Sequence, residues 1–139
     1  MAAFKRFEEI EAWQQARSLT KLVYAVSGKG AFGRDFGLRD QIRRASVSVM
    51  SNIAEGFGRG GGKEFIQFLS VARGSASEVC AQLYVALDQG YLTREESGQL
   101  QEQATRTGSL ISGLIRYLQS TKLRGSKYKA ESVGPTAQL

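Results

Sequence analysis

The stretch SNIAEGFGRGGGKEFIQFL, Ser51 to Leu69, sets glycines at 56, 58 and 61 in the spacing G-x-G-x-x-G, ahead of a helical apolar pattern. That spacing belongs to loops that cradle phosphate, in which glycine lets the backbone approach a pyrophosphate and the next helix N-terminus receives its charge. The chemistry needs a strand before the first glycine, and here a helical pattern precedes it. A P-loop fits no better. A glycine directly precedes Lys63, but Phe57 occupies the place of the first P-loop glycine and Glu64 replaces the Ser or Thr that would hold magnesium. The stretch reads instead as a turn between two antiparallel helices, where glycine tolerates the left-handed C-cap and a tight reversal. One functional role survives: Arg59 and Lys63 flank free backbone N–H groups at the start of the following helix, a nonspecific anion site.

The chain has no histidine, and Cys80 is its only cysteine. Ser-His-Asp and Cys-His nucleophile systems are therefore excluded, as are the side chains that most zinc and redox-metal sites need. Glu55 and Asn52 have no paired acid to work with, so no active site, metal or cofactor is expected. Val79, Ala81 and Leu83 around Cys80 predict a buried, inert thiol. A single cysteine forms no internal disulfide, which favours a cytoplasmic protein.

Charge points elsewhere. Lysine and arginine number 19 against 13 acids, giving a formal charge of +6 and a pI near 9.7, a balance suited to polyanionic partners. The excess is uneven: residues 1–60 carry ten bases and six acids, 61–120 five and six, and 121–139 four and one. Arg43 and Arg44 form the most prominent pair, although Asp40, three and four residues earlier, offers them local helix ion pairs. Glu55 and Arg59 have the same i, i+4 relation. In the tail Lys122, Arg124, Lys127 and Lys129 surround Tyr128, with only Glu131 opposing. That set suits phosphate contacts with one ring left to stack on an unpaired base. Arg17, Arg73, Arg106 and Arg116 read as isolated.

These residues must be positioned by helices. Ile10, Trp13, Ala16, Leu19, Val23 and Val26 recur at three and four, predicting an amphipathic helix from Phe7 to about Ser27. Four glycines in SGKGAFGRDFG end it. A second helix over 38–57 carries Leu38, Ile42, Ala45, Val49 and Ile53 on one stripe. Its many small residues, with Val47 and Met50 as a second apolar edge, predict contact on more than one side. A third runs over 63–89 on Phe65, Leu69, Ala72, Ala76, Val79 and Leu83. Thr93 and Glu96 then make a capping box that opens a fourth helix, reaching about Thr121. No period-two alternation persists, and no apolar run approaches the roughly 18 residues of a membrane span. The prediction is an all-α, antiparallel up-down four-helix bundle over residues 1–121, followed by a basic, disordered tail over 122–139.

Several of these words carry a resemblance. FEEIEAWQQARSL, then GLRDQIRRASVSVMSNIAEGFGR and KEFIQFLSVARGSASEVCAQLYVALDQGYL, closely resemble the four-helix-bundle family of ribosomal RNA intervening-sequence proteins, from about Phe7 to Leu118. The same superfamily includes the accessory variability proteins of diversity-generating retroelements. The resemblance implies a ring-like homopentamer without catalytic activity. For the retroelement branch it implies binding of nucleic acid and of a reverse transcriptase. The triple glycine at 60–62 departs from the family, which usually has a polar residue such as serine there. Two functions compete, with an enzyme third because histidine and paired carboxylates are missing. One is an oligomeric protein that binds RNA or DNA through the basic residues named above. The other is a protein-interaction scaffold using the small-residue helix and the loop aromatics Phe36, Phe57 and Tyr91.

Overall fold

The computed structural model describes residues 4–127, with side chains to Thr121. Among the described residues the fold is all-α, as predicted, with five α-helices, one 3-10 turn and no strand. The 3-10 turn, Phe7–Glu9, leads into α1 (Glu11–Ser27), α2 (Gly30–Arg34), α3 (Phe36–Gly58), α4 (Gly62–Asp88) and α5 (Arg94–Lys127). α5 thus runs past Thr121, and Tyr128 onward lies outside the described residues. No described helix is long and apolar enough to cross a membrane.

Hydrogen bonds between the long helices fix their register. Thr20 of α1 donates to the Ser46 carbonyl of α3, and Arg43, a turn earlier on α3, reaches Ser27 at the end of α1. The Ser48 and Ser75 hydroxyls meet at 2.9 Å, while Gly56 lies against Phe68 and Phe65. Gln101 donates to the Cys80 carbonyl and Arg73 to Ser112. Gln103 donates to Gln15, and Arg106 pairs with Glu11. In every pair one number rises as the other falls, so each long helix runs antiparallel to the long helix it touches.

The predicted stripes form the core. Ile10, Val49, Ile53, Phe65, Leu69, Ile111 and Ile115 fill one half, and Leu19, Val23, Ile42, Val79, Leu83 and Leu100 the other. Fully burying one such side chain stabilises by about 1.5–3 kcal/mol. Small residues set the helix spacing. A Cβ on Gly56 would sit 2.6 Å from the Phe68 Cβ, so α3 and α4 approach more closely than any side chain would allow. α3 touches both α1 and α4, as its composition implied, but Val47 is exposed and only Met50 packs against the core.

α2 is the element absent from the sequence reading. Glycines crowd GAFGR, yet Phe32 is buried and stacks on Tyr91 with ring centroids 5.3 Å apart. Asp35 closes the corner, accepting from the Leu38 N–H as the α3 N-cap and from the Tyr91 hydroxyl at 2.9 Å. That hydrogen bond, then burial and the Asp35 charge, raises the Tyr91 hydroxyl above its ordinary pKa of 10.0. The capping box forms as predicted, Thr93 and Glu96 each accepting the other's backbone N–H.

Candidate nucleic-acid interface

Arg43 is half-buried and engaged within the chain through Nε and Nη2. Its Nε donates to Ser27 Oγ at 2.7 Å and its Nη2 to the Tyr24 carbonyl at 3.3 Å, and the guanidinium lies 4.4 Å from the Tyr24 ring centroid. It therefore satisfies the C-terminal end of α1, where carbonyls lack helical partners. Its predicted pairing with Asp40 does not form, because the guanidinium is drawn to the end of α1. Asp40 pairs instead with the adjacent Arg39 at 2.9 Å, whose guanidinium covers the exposed Phe36 ring. Arg44 is exposed and has no carboxylate partner among the described residues.

At the other end of α3, Arg59 donates from Nε and Nη2 to Glu55 Oε2, at 3.2 and 3.1 Å, and lies over Phe68. Its charge is locally compensated, as the i, i+4 spacing predicted. Lys63 is exposed in the first turn of α4. The turn before it depends on Gly60, whose φ of +85° lies in the left-handed region. Glu64 Oε1 comes within 3.4 Å of the position a Gly61 Cβ would take, which sets a carboxylate over the α4 N-terminus. An acid of the chain thus shares the first turn of α4 with the anion site expected there.

Arg44 and Arg59 stand about 22 Å apart along α3 at 1.5 Å per residue, so the helix-borne candidates do not form one cluster. The α4 to α5 register, however, sets the backbone of residues 122–127 at the same end as the α3 to α4 turn. Lys122, Arg124 and Lys127 belong to those last turns of α5. Arg59 and Lys63 thus share one end of the molecule with the start of the basic tail. Tyr128 and Lys129 lie outside the described residues.

The loop aromatics divide. Tyr91 is stacked on Phe32 and Phe57 packs edge-on against Phe65, so both serve the core, whereas Phe36 is exposed. Cys80 is half-buried rather than buried. It lines a groove between α4 and α5 with Arg73 and Arg116. Sequence spacing could not pair those two arginines, because only helix packing brings them to one groove.

No three His, Cys, Asp or Glu side chains gather as a metal site among the described residues. A family model described as 23S rRNA-intervening sequence protein matches residues 8–113. No curated protein matches the chain. Among solved structures, a crystal structure of a protein of unknown function from the S23 ribosomal protein family of Bacteroides thetaiotaomicron superposes with a TM-score of 0.69. It is 22% identical, over 76% of this chain and 95% of the other. At that identity the likeness speaks for the fold alone.

Proposed function

This chain belongs to the 23S rRNA-intervening sequence protein family, and from that premise we propose that it is a non-enzymatic, oligomeric nucleic-acid-binding protein. Its four long helices form the up-down bundle of one protomer in a ring-like homopentamer. The ring serves as an accessory to a reverse transcriptase in a diversity-generating retroelement, binding RNA or DNA during copying. The observation that carries the reading is the gathering of basic positions at one end of the bundle. Exposed Lys63 lies at the α3 to α4 turn, with Arg59 already paired to Glu55, at the same end as the α5 turns that hold Lys122, Arg124 and Lys127. Repeated around a ring, such an end would present a continuous positive surface, and such surfaces raise polyanion association. The lack of histidine and the lone cysteine support a binding role rather than catalysis.

The test is fluorescence anisotropy of labelled RNA and DNA across a salt series. Full-length protein is compared with a variant in which Lys122, Arg124, Lys127 and Lys129 are glutamine. Binding that falls steeply with salt and weakens in the variant supports the reading, because neutralised phosphates release counterions. Salt-insensitive binding, or none near physiological salt, overturns it. Light scattering on the same sample reads the oligomer number.

A protein-interaction scaffold is the second reading, favoured by exposed Val71 and Val85, about four turns apart on one side of α4. Recovery of a polymerase on the protein after nuclease treatment, without nucleic-acid binding, would support it.

A further inference from the structure

Two arginines that the sequence holds apart line a single groove. Arg73 of α4 donates from Nη1 to Ser112 Oγ of α5 at 3.3 Å. Arg116 stands four residues beyond Ser112, on the same face of α5. Both arginines are exposed. Neither has a carboxylate partner among the described residues, where the ion pairs involve Arg39, Arg59 and Arg106. The groove between α4 and α5 has a volume of about 460 Å³, and no carboxylate lines it. Its other polar side chains are hydroxyls, Ser77 and Ser109 among them. Two guanidiniums beside one groove repel each other, and an anion held between them converts that repulsion into attraction. Their planar donor forks match phosphate oxygens, and the hydroxyls add donors of the same kind. No aromatic side chain lines the groove, so nothing there stacks a base. Beyond Arg116, α5 continues into the turns that hold Lys122, Arg124 and Lys127.

We propose that the α4 to α5 groove holds a phosphodiester group of a nucleic-acid strand, with Arg73 and Arg116 as its cationic contacts. The assignment rests on the nucleic-acid reading above and gives it a specific, sequence-independent site. A bound strand continues from this groove toward the basic end of the bundle.

The test uses the full chain, its Arg73→Gln, Arg116→Gln and double variants, and the double lysine variant R73K/R116K. Two readouts are taken. The first is anisotropy of a labelled single-stranded oligonucleotide against salt. The second is the alkylation rate of Cys80, the chain's only cysteine, which lines the same groove. Each glutamine variant should weaken binding about 3- to 10-fold near 0.1 M salt and reduce the log–log salt slope by about 0.7. The lysine variant should recover part of the loss, because it keeps the charge without the fork. Saturating oligonucleotide should slow Cys80 alkylation in the wild type and not in the double glutamine variant. Unchanged affinity in the glutamine variants, with Cys80 unprotected, overturns the groove and leaves the nucleic-acid reading standing. Absence of any oligonucleotide binding overturns both. In that case, Cys80 protection by inorganic phosphate alone would make the groove a small-anion site instead. Thermal melts of each variant separate a lost contact from a lost fold.

Discussion

Arg43 Nε donates to Ser27 Oγ across 2.7 Å, joining the first half of α3 to the final residue of α1. Ser27 is fully buried, and the same guanidinium holds the Tyr24 carbonyl and covers the Tyr24 ring. The most conspicuous cationic pair in the sequence is therefore divided between two tasks. Arg43 bridges α3 to the end of α1, and Arg44 faces solvent.

Arg43→Ala should consequently act on stability. It removes two hydrogen bonds from a charged donor and one ring contact, and it leaves the buried Ser27 hydroxyl without Arg43 as a partner. Charge-assisted bonds and a cation–π contact of this exposure together suggest a loss of about 2 kcal/mol. For a domain of this size that lowers Tm by roughly 6–8 °C. Arg43→Lys should recover only part of it, since an ammonium lacks the planar fork. Thermal unfolding followed by circular dichroism decides, and an unchanged Tm for the alanine variant would show the contact to be energetically idle.

Much of the fold was legible because its signals are local and periodic. Ile42, Val49 and Ile53 recur at helical spacing and are buried where that spacing requires. Thr93 and Glu96 meet because both members of a capping box lie within one turn. Arg59 finds Glu55 for the same reason. What escaped depends on register between distant segments. Ser27 and Tyr24 precede Arg43 by 16 and 19 residues, so the nearer Asp40 looked like the natural partner. The five-residue α2 has too few turns to show a period, and it forms because Phe32 is drawn into the core. The candidate site was harder to read than the fold. Cationic types are visible in sequence, but their partners are set by packing.

The consecutive glycines at 60–62 separate cleanly. Gly60 holds a φ of +85°, which costs an L-residue about 1–2 kcal/mol, so Gly60→Ala should destabilise by that amount. Gly62 begins α4 with an ordinary φ and open space where a Cβ would go, so Gly62→Ala should stabilise by about 0.4–1 kcal/mol. Gly56→Ala provides a third contrast, since its Cβ would meet the Phe68 Cβ at 2.6 Å and Phe65 at 3.0 Å. Overpacking of about 1–3 kcal/mol should outweigh the roughly 1 kcal/mol gained in helix propensity. Denaturant midpoints for the three variants test the order: Gly62→Ala above wild type, the other two below.

Tyr91 should give the chain an alkaline limit. Its hydroxyl donates to Asp35, which favours the protonated form and raises the pKa in the folded state above the ordinary 10.0. The folded protein then holds a proton that the unfolded chain releases first. The associated stability is complete below about pH 10 and is lost as pH rises from there through the folded pKa. Tyr91→Phe should flatten this part of the stability profile and remove one late step from the ultraviolet titration of the tyrosines. An identical alkaline slope in both proteins would assign the limit to other groups.

Arg44→Gln is the complementary experiment to Arg43→Ala, because its two readouts move independently. Arg44 is exposed and makes no ion pair with a described carboxylate, so its loss should change stability by no more than about 0.5 kcal/mol. If the α3 surface contributes a phosphate contact, the same variant should reduce the log–log salt slope of oligonucleotide binding by about 0.7–0.9. Arg43→Ala, measured well below its own Tm, should leave that slope untouched while melting earlier. A reduced slope in both variants would mean that Arg43 leaves Ser27 to meet the ligand. An unchanged slope in Arg44→Gln would confine binding to the other basic surfaces, the tail end of the bundle and the Arg73 and Arg116 groove.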